Sequence, residues 1–167
     1  MLYTNYSIAR SLNHTFRYID DISSLNDNGN FDRYRSQIYP VDLELNRENN
    51  GYKSASVLEM QIDIIEDKFK VGVFDKRDSF NFEVFRYPSI SSNIPGRTLY
   101  NVFYSQLVRF SRVCNNKDSL VSAIKTLKRR VLFKGAKNNI LLATFNKFWG
   151  KYKVHYASRA EVVEKVF

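Results

Sequence analysis

At residue 98 the apolar side chains change their period, and no other feature so narrows what this chain can fold into. Upstream, apolar and polar residues alternate, as in "VLEMQIDII", where Leu58, Met60, Ile62 and Ile64 face one way and Glu59, Gln61 and Asp63 the other. Alternation of this kind marks a half-buried strand. Downstream, Leu99, Val102, Phe103, Phe110 and Val113 fall on one helical stripe. Leu120, Ala123, Ile124, Leu127 and Val131 repeat it, with Gly135 as a stop, and Leu141, Phe145, Phe148, Trp149 and Tyr152 make a third. Stripes spaced three and four residues apart mark amphipathic helices that bury one face.

The charge changes at the same place. Residues 1–97 hold 12 Lys and Arg against 14 Asp and Glu, whereas residues 98–153 hold 12 against the single acid Asp118. Segregation of this kind marks a surface for polyanions; the plain alternative is a solvated helical face. The outward positions of the stripes hold Lys125, Lys128, Arg129, Arg130 and Lys137, the candidate phosphate contacts. Tyr100, Tyr104, Phe110 and Trp149 are aromatic, but their spacing puts most of them on the core side.

Upstream, "LNHTFRYI" and "ISSL" flank Asp20 and Asp21 and predict a hairpin with the aspartates at its tip. Phe31, Tyr34 and Ile38 sit at helical spacing before Pro40. "DLELN", "VLEMQIDII", "FKVGVF" and "FNFEVF" predict strands, the middle two paired as a hairpin, and "YPSISSNIPG" reads as a loop. The expected fold is α+β: antiparallel strands with one helix over residues 1–97, a basic helical bundle over 98–153, and a tail over 154–167 that is either a short helix or a frayed end.

Composition excludes several classes. The chain has 167 residues, 44% of them hydrophobic, so a sizeable core is expected rather than disorder. No apolar run reaches membrane-spanning length, and "MLYTNYSIARSL" lacks the charged start and apolar stretch of a signal peptide, so an intracellular protein without membrane partners is expected. The single cysteine, Cys114, forms no internal disulfide and reads as a small buried hydrophobe; two histidines far from it give no zinc spacing. The six glycines are scattered and form no phosphate loop.

The chemistry centres on "TFRYIDDIS", residues 15–23. Adjacent carboxylates repel one another beside apolar side chains. A hard divalent cation would compensate them: magnesium takes oxygen ligands, typically one or two carboxylates plus substrate phosphates. In nucleotidyl transfer two such ions, about 3.5–4 Å apart, clamp the attacking and leaving oxygens. A solvated Asp-Asp turn needs no ion and is the competing reading.

"FRYIDDI" resembles the active-site hairpin of reverse transcriptases, whose signature is an aromatic, any residue, then two aspartates. "IYPVDLELN", "FDKRDSFNF", "SNIP" and "SQLVRFSRVC" resemble, in order, blocks that follow that hairpin in retroelement reading frames, so the resemblance spans roughly residues 14–150. It implies a partial polymerase palm followed by a thumb-like bundle that grips a primer–template duplex or RNA–DNA hybrid. It makes Asp20 a magnesium ligand, Asp21 the second carboxylate, nearer the primer end, and Tyr18 a side chain beneath the incoming nucleotide or primer terminus. The strands of "VLEMQIDIIEDKFKVGVFDK" would stand where the family positions the primer end. The family also carries a further aspartate and a fingers region before this hairpin. Here 19 residues precede Asp20 and hold no acid. The expectation is therefore a reverse-transcriptase fragment that is inactive alone, needing an upstream segment or a partner chain for the rest of the site. The alternative is a nucleic-acid-binding module without catalysis.

Overall fold

In a computed structural model the described residues are 6–25, 28–49, 51, 53–82, 84 and 87–167. They form an α+β fold that divides into two compact units, Met1–Asn49 and Asn50–Phe167. The division falls well before residue 97 because the second sheet of the chain packs with the helices that follow it.

In the first unit, helix α1 (Tyr6–Ser11) precedes strands β1 (Thr15–Tyr18) and β2 (Asp21–Ser24). These pair antiparallel from Thr15 opposite Ser24 to Tyr18 opposite Asp21, so Ile19 and Asp20 alone make the turn. Such a tight connection requires positive φ, and Ile19 takes it at 52°. The Thr15 and Ser24 hydroxyls meet at 2.7 Å across the pair. Helix α2 (Asn30–Ile38) starts after Gly29, whose φ of 76° suits glycine, and stops before Pro40. The Phe31 and Tyr39 rings meet edge to face, and the Arg17 guanidinium lies over Tyr39. The expected strand at "DLELN" is absent: residues 41–49 form no strand, and alternation without a neighbouring strand leaves the backbone no ladder to join. None of the described side chains of this unit is fully buried, and Phe16, Tyr18 and Ile19 are more than half exposed.

The second unit opens with a meander of β3 (Ser54–Val57), β4 (Met60–Ile65) and β5 (Lys68–Val73). The single strand expected through "VLEMQIDII" is two strands, because the chain turns at Leu58 and Glu59 with Leu58 at φ 55°. Glu66 and Asp67, both at positive φ, make the next turn. Register puts Met60, Ile62 and Ile64 opposite Val73, Val71 and Phe69 on one face, and Gln61 and Asp63 opposite Gly72 and Lys70 on the other. "FNFEVF" also differs from expectation. A 3-10 helix, Lys76–Ser79, forms just before it, and Phe80 and Phe82 lean together at 5.2 Å in solvent; Glu83 and Phe85 lie outside the described residues.

Helices α3 (Arg97–Val113), α4 (Lys117–Phe133) and α5 (Asn138–Lys151) occupy the three stripes, and α6 (Arg159–Val166) adds a fourth helix. Asn116 caps α4 by accepting from the Ser119 amide, and Gly135 at φ 92° follows its end. Ser158 and Glu161 form a reciprocal capping box on α6, so the tail is a helix and not a frayed end. The core lies among the helices: Leu99, Phe103, Leu107, Ile124, Phe145 and Phe148 are buried with Val162 of α6. Tyr104 stands edge-on to Phe148, and Tyr100, Tyr104 and Trp149 are half-buried against this core. Cys114 is buried with them, and burial pushes its thiol up to about 11. No helix of the described residues is long and apolar enough to cross a membrane.

The α3–α4 corner ties the sheet to the helices. Asn115 donates its backbone N–H to Val71 O, accepts from Val71 N on Oδ1 at 2.9 Å, and donates from Nδ2 to Phe69 O at 2.8 Å. Gly72 lets α4 come close, since a Cβ there would stand 3.3 Å from Ser119 Oγ.

Two outcomes follow from this distribution of burial. Phe103→Ala is expected to cost about 3–5 kcal/mol in chemical denaturation and Tyr18→Ala less than about 0.5 kcal/mol. The Cys114 thiol, protonated in the fold, contributes stability that is present below its unfolded value near 9 and is lost as pH rises toward about 11; the midpoint of urea denaturation should fall across that window, and less so in Cys114→Ala.

Candidate functional site

The aspartate pair sits at the tip of the β1–β2 hairpin, as its flanking strands predict. Asp20 is the second turn residue and Asp21 the first residue of β2, opposite Tyr18. Both side chains are exposed. Arg17 donates from Nε to Ile19 O at 2.9 Å, which braces the turn. Tyr18 is exposed beside the pair. The donor set fits a hard cation in part, since magnesium completes its octahedron with water and phosphate oxygens. Among the described residues no cluster of three acids, histidines or cysteines surrounds a metal position. When bound, magnesium would supply positive charge at a phosphate; Asp20 and Asp21 would hold it.

The five basic residues read from the helical stripes separate into different roles. Lys125 and Arg129 lie one turn apart on α4 and are exposed. Lys137 precedes α5, exposed, with its backbone N–H donated to the Tyr100 hydroxyl. Lys128 turns to α6 instead: its Nζ donates to Val166 O at 2.8 Å and lies 4.7 Å above the Phe167 ring. Burial lowers its pKa. Arg130 points to the loop after β5, where NH1 meets Asp75 at 2.6 Å. The structure thus leaves Lys125, Arg129 and Lys137 outward and commits Lys128 and Arg130 to internal contacts.

Sequence reasoning did not single out the second concave feature. A cleft of about 700 Å³ lies between the polar face of the β3–β5 sheet and helices α3 and α4. Its walls hold three arginine–carboxylate pairings. Arg109 of α3 meets Glu59 in the β3–β4 turn at 2.7 Å. Arg77 and Arg130 converge on Asp75. Burial would raise the Asp75 pKa, but the hydrogen bonds from the two guanidinium groups outweigh it and hold the carboxyl well below the usual range. The same contact raises Arg77. On the sheet, Ser54 and then Gln61 donate to Asp63, which lowers its pKa and keeps it a carboxylate. The sequence does signal part of this, in the acid and base two apart at Asp75 and Arg77; Arg130 is 55 residues further on, and no local pattern joins it to them.

Compared with family models, curated proteins and solved structures, the chain matches none.

The Ile19 conformation gives a direct handle on the hairpin. A β-branched residue at positive φ is strained by about 1–2 kcal/mol. Ile19→Gly is expected to raise the hairpin population without moving the aspartates. Stronger cross-strand nuclear Overhauser contacts between Thr15 and Ser24 would report it; weaker ones would show that the Ile19 side chain, not the turn geometry, holds the hairpin.

Proposed function

We propose that this chain is a nucleic-acid-binding portion of a reverse-transcriptase-like protein. Its basic helices hold the sugar–phosphate backbone of a primer–template duplex or RNA–DNA hybrid, and the Asp20–Asp21 hairpin offers two carboxylates to magnesium at a phosphate. The observation that carries this reading is a helical core complete in itself with cations on its outside. The buried faces of α3, α4 and α5 pack together with α6, while Lys125, Arg129, Lys147 and Lys151 are exposed to solution anions. Neutralising phosphates releases condensed counterions, so binding of this kind is independent of sequence and steep in salt. The motif order around "FRYIDDI" supports the same reading from the other end of the chain.

Phosphoryl transfer depends on positioning two metals, a nucleophile and a leaving group. The described residues offer two adjacent carboxylates at the hairpin and no third acid gathered with them. The chain by itself is therefore read as a binder, with the rest of a polymerase site coming from an upstream segment or a partner chain. Binding without any metal chemistry is the second reading; the free carboxylates of the hairpin are what favour the first.

Fluorescence anisotropy with a labelled RNA–DNA hybrid tests the helices. Affinity should fall steeply with salt, and the double variant Lys125→Glu, Arg129→Glu should flatten the slope of log K against log salt by about 2. Asp20→Asn and Asp21→Asn should leave that binding intact and remove its response to magnesium. A salt-independent affinity would discard the helical interface. In a primer-extension assay the chain alone should incorporate no nucleotide; magnesium-dependent incorporation lost in Asp20→Asn would establish a complete site.

A further inference from the structure

The helices bury nearly all of their large apolar side chains. After residue 96 only Leu132, Phe133 and Ile140 are exposed, and Phe133 keeps 68% of its surface. Phe133 is the last residue of α4, two past the buried Val131 and so about 200° around the helix from it. The exit from the helix holds it there. Gly135 takes φ 92°, the Ala136 N–H donates back to Val131 O at 3.0 Å, and Ile90 donates its N–H to Lys134 O at 3.0 Å. Lys134 Nζ stands 5.3 Å from the centre of the Phe133 ring and adds positive charge beside it.

The same stripe of α4 carries Lys125 and Arg129. With Phe133 they are spaced four apart, so the three stand one above another, each about 6 Å further along the axis. All three are exposed. No Asp or Glu occurs between Asp118 and Glu161, so α4 and α5 bring no acid to this stripe. A single apolar residue on a surface needs no explanation. An exposed ring in line with two cations, with exposed Leu132 next to it, has the makings of a strand-holding site: cations follow the phosphates and an aromatic face takes a base. Tyr100, Tyr104, Phe110 and Trp149, the other aromatic candidates of the helices, pack against the core instead.

We propose that Phe133 is a stacking platform for an unpaired nucleobase, placed at the end of the α4 stripe where Lys125 and Arg129 hold the adjoining phosphates. This inference rests on the reading of the helical unit as a nucleic-acid binder and adds the form of nucleic acid that it takes. A base inside a continuous duplex has both faces covered by its neighbours. The ligand is therefore a hybrid with a single-stranded extension, its paired part along the two cations and its first unpaired base on the ring. Stacking tolerates any base, so this contact selects for an open strand and not for a sequence.

The test titrates a labelled RNA–DNA hybrid with a short single-stranded extension, and the same hybrid with abasic residues in that extension. The abasic ligand keeps every phosphate and loses the stacking face. Wild type should bind it about tenfold more weakly than the intact ligand, with the same salt slope. Phe133→Ala should melt as wild type does, lose about tenfold in affinity for the intact ligand, and no longer distinguish the two. Phe133→Tyr should restore the distinction, and Phe133→Leu, apolar without a flat ring, should not. With 2-aminopurine as the first unpaired base, wild type should quench its fluorescence and Phe133→Ala should not. A Phe133→Ala protein that binds and quenches as wild type does overturns the proposal, and so does a Phe133→Leu protein that matches wild type, which would mark Leu132 and Phe133 as a plain apolar contact for a protein. If wild type binds steeply in salt through Lys125 and Arg129 and treats both ligands alike, only this inference fails. If wild type binds neither, the functional reading and this one fail together.

Discussion

A carboxamide fastens the sheet of the second unit to its helices. Asn115, at the corner between α3 and α4, offers both ends of its side-chain amide and its own backbone N–H to Phe69 and Val71 of β5. The sheet has no fully buried side chain of its own, and only Val73 reaches the helical core. Its attachment to the bundle therefore depends on this polar junction, on the close approach at Gly72 and on the Asp75–Arg130 contact. Gly72, Asp75 and Arg130 line the cleft, so the last two of these also fix its walls.

The helical half was legible because its information is local. Stripes at three- and four-residue spacing define both the helices and the faces they bury, and Leu99, Phe103, Leu120, Ile124, Phe145 and Phe148 lie where their period puts them. The aspartate hairpin was legible for the same reason, since two short strands about a two-residue turn need no information from elsewhere. The sheet of the second unit was legible in part. Alternation gave the faces of β4 and β5 but continued through Leu58, where a turn places a non-glycine residue at positive φ against its own preference. "DLELN" alternates just as well and forms no strand, because a strand is completed by a neighbour and the pattern of one segment is silent about neighbours.

Charge was legible as a sum and not as an arrangement. The excess of Lys and Arg after residue 98 is plain in the sequence, yet neighbouring residues of α4 have opposite fates. Lys125 and Arg129 face out, whereas Lys128 braces α6 and Arg130 crosses to a loop 55 residues away. A helix advances 100° per residue, so a run such as Lys128-Arg129-Arg130 points its charges in three directions whatever its density in the sequence. Which of them meets an internal partner depends on packing that no stripe records.

The Asn115 clasp has one more consequence, for the behaviour of the protein in company. Strand β5 carries Phe69, Val71 and Val73 in alternation, and its outer side would offer unpaired N–H and C=O groups to any passing extended chain. The carboxamide answers those groups at Val71 and Phe69 without adding a strand that would itself need an edge. One side chain thereby blunts the β5 edge against cross-chain β-pairing, and its sequence neighbours mark it only as a turn between two helices.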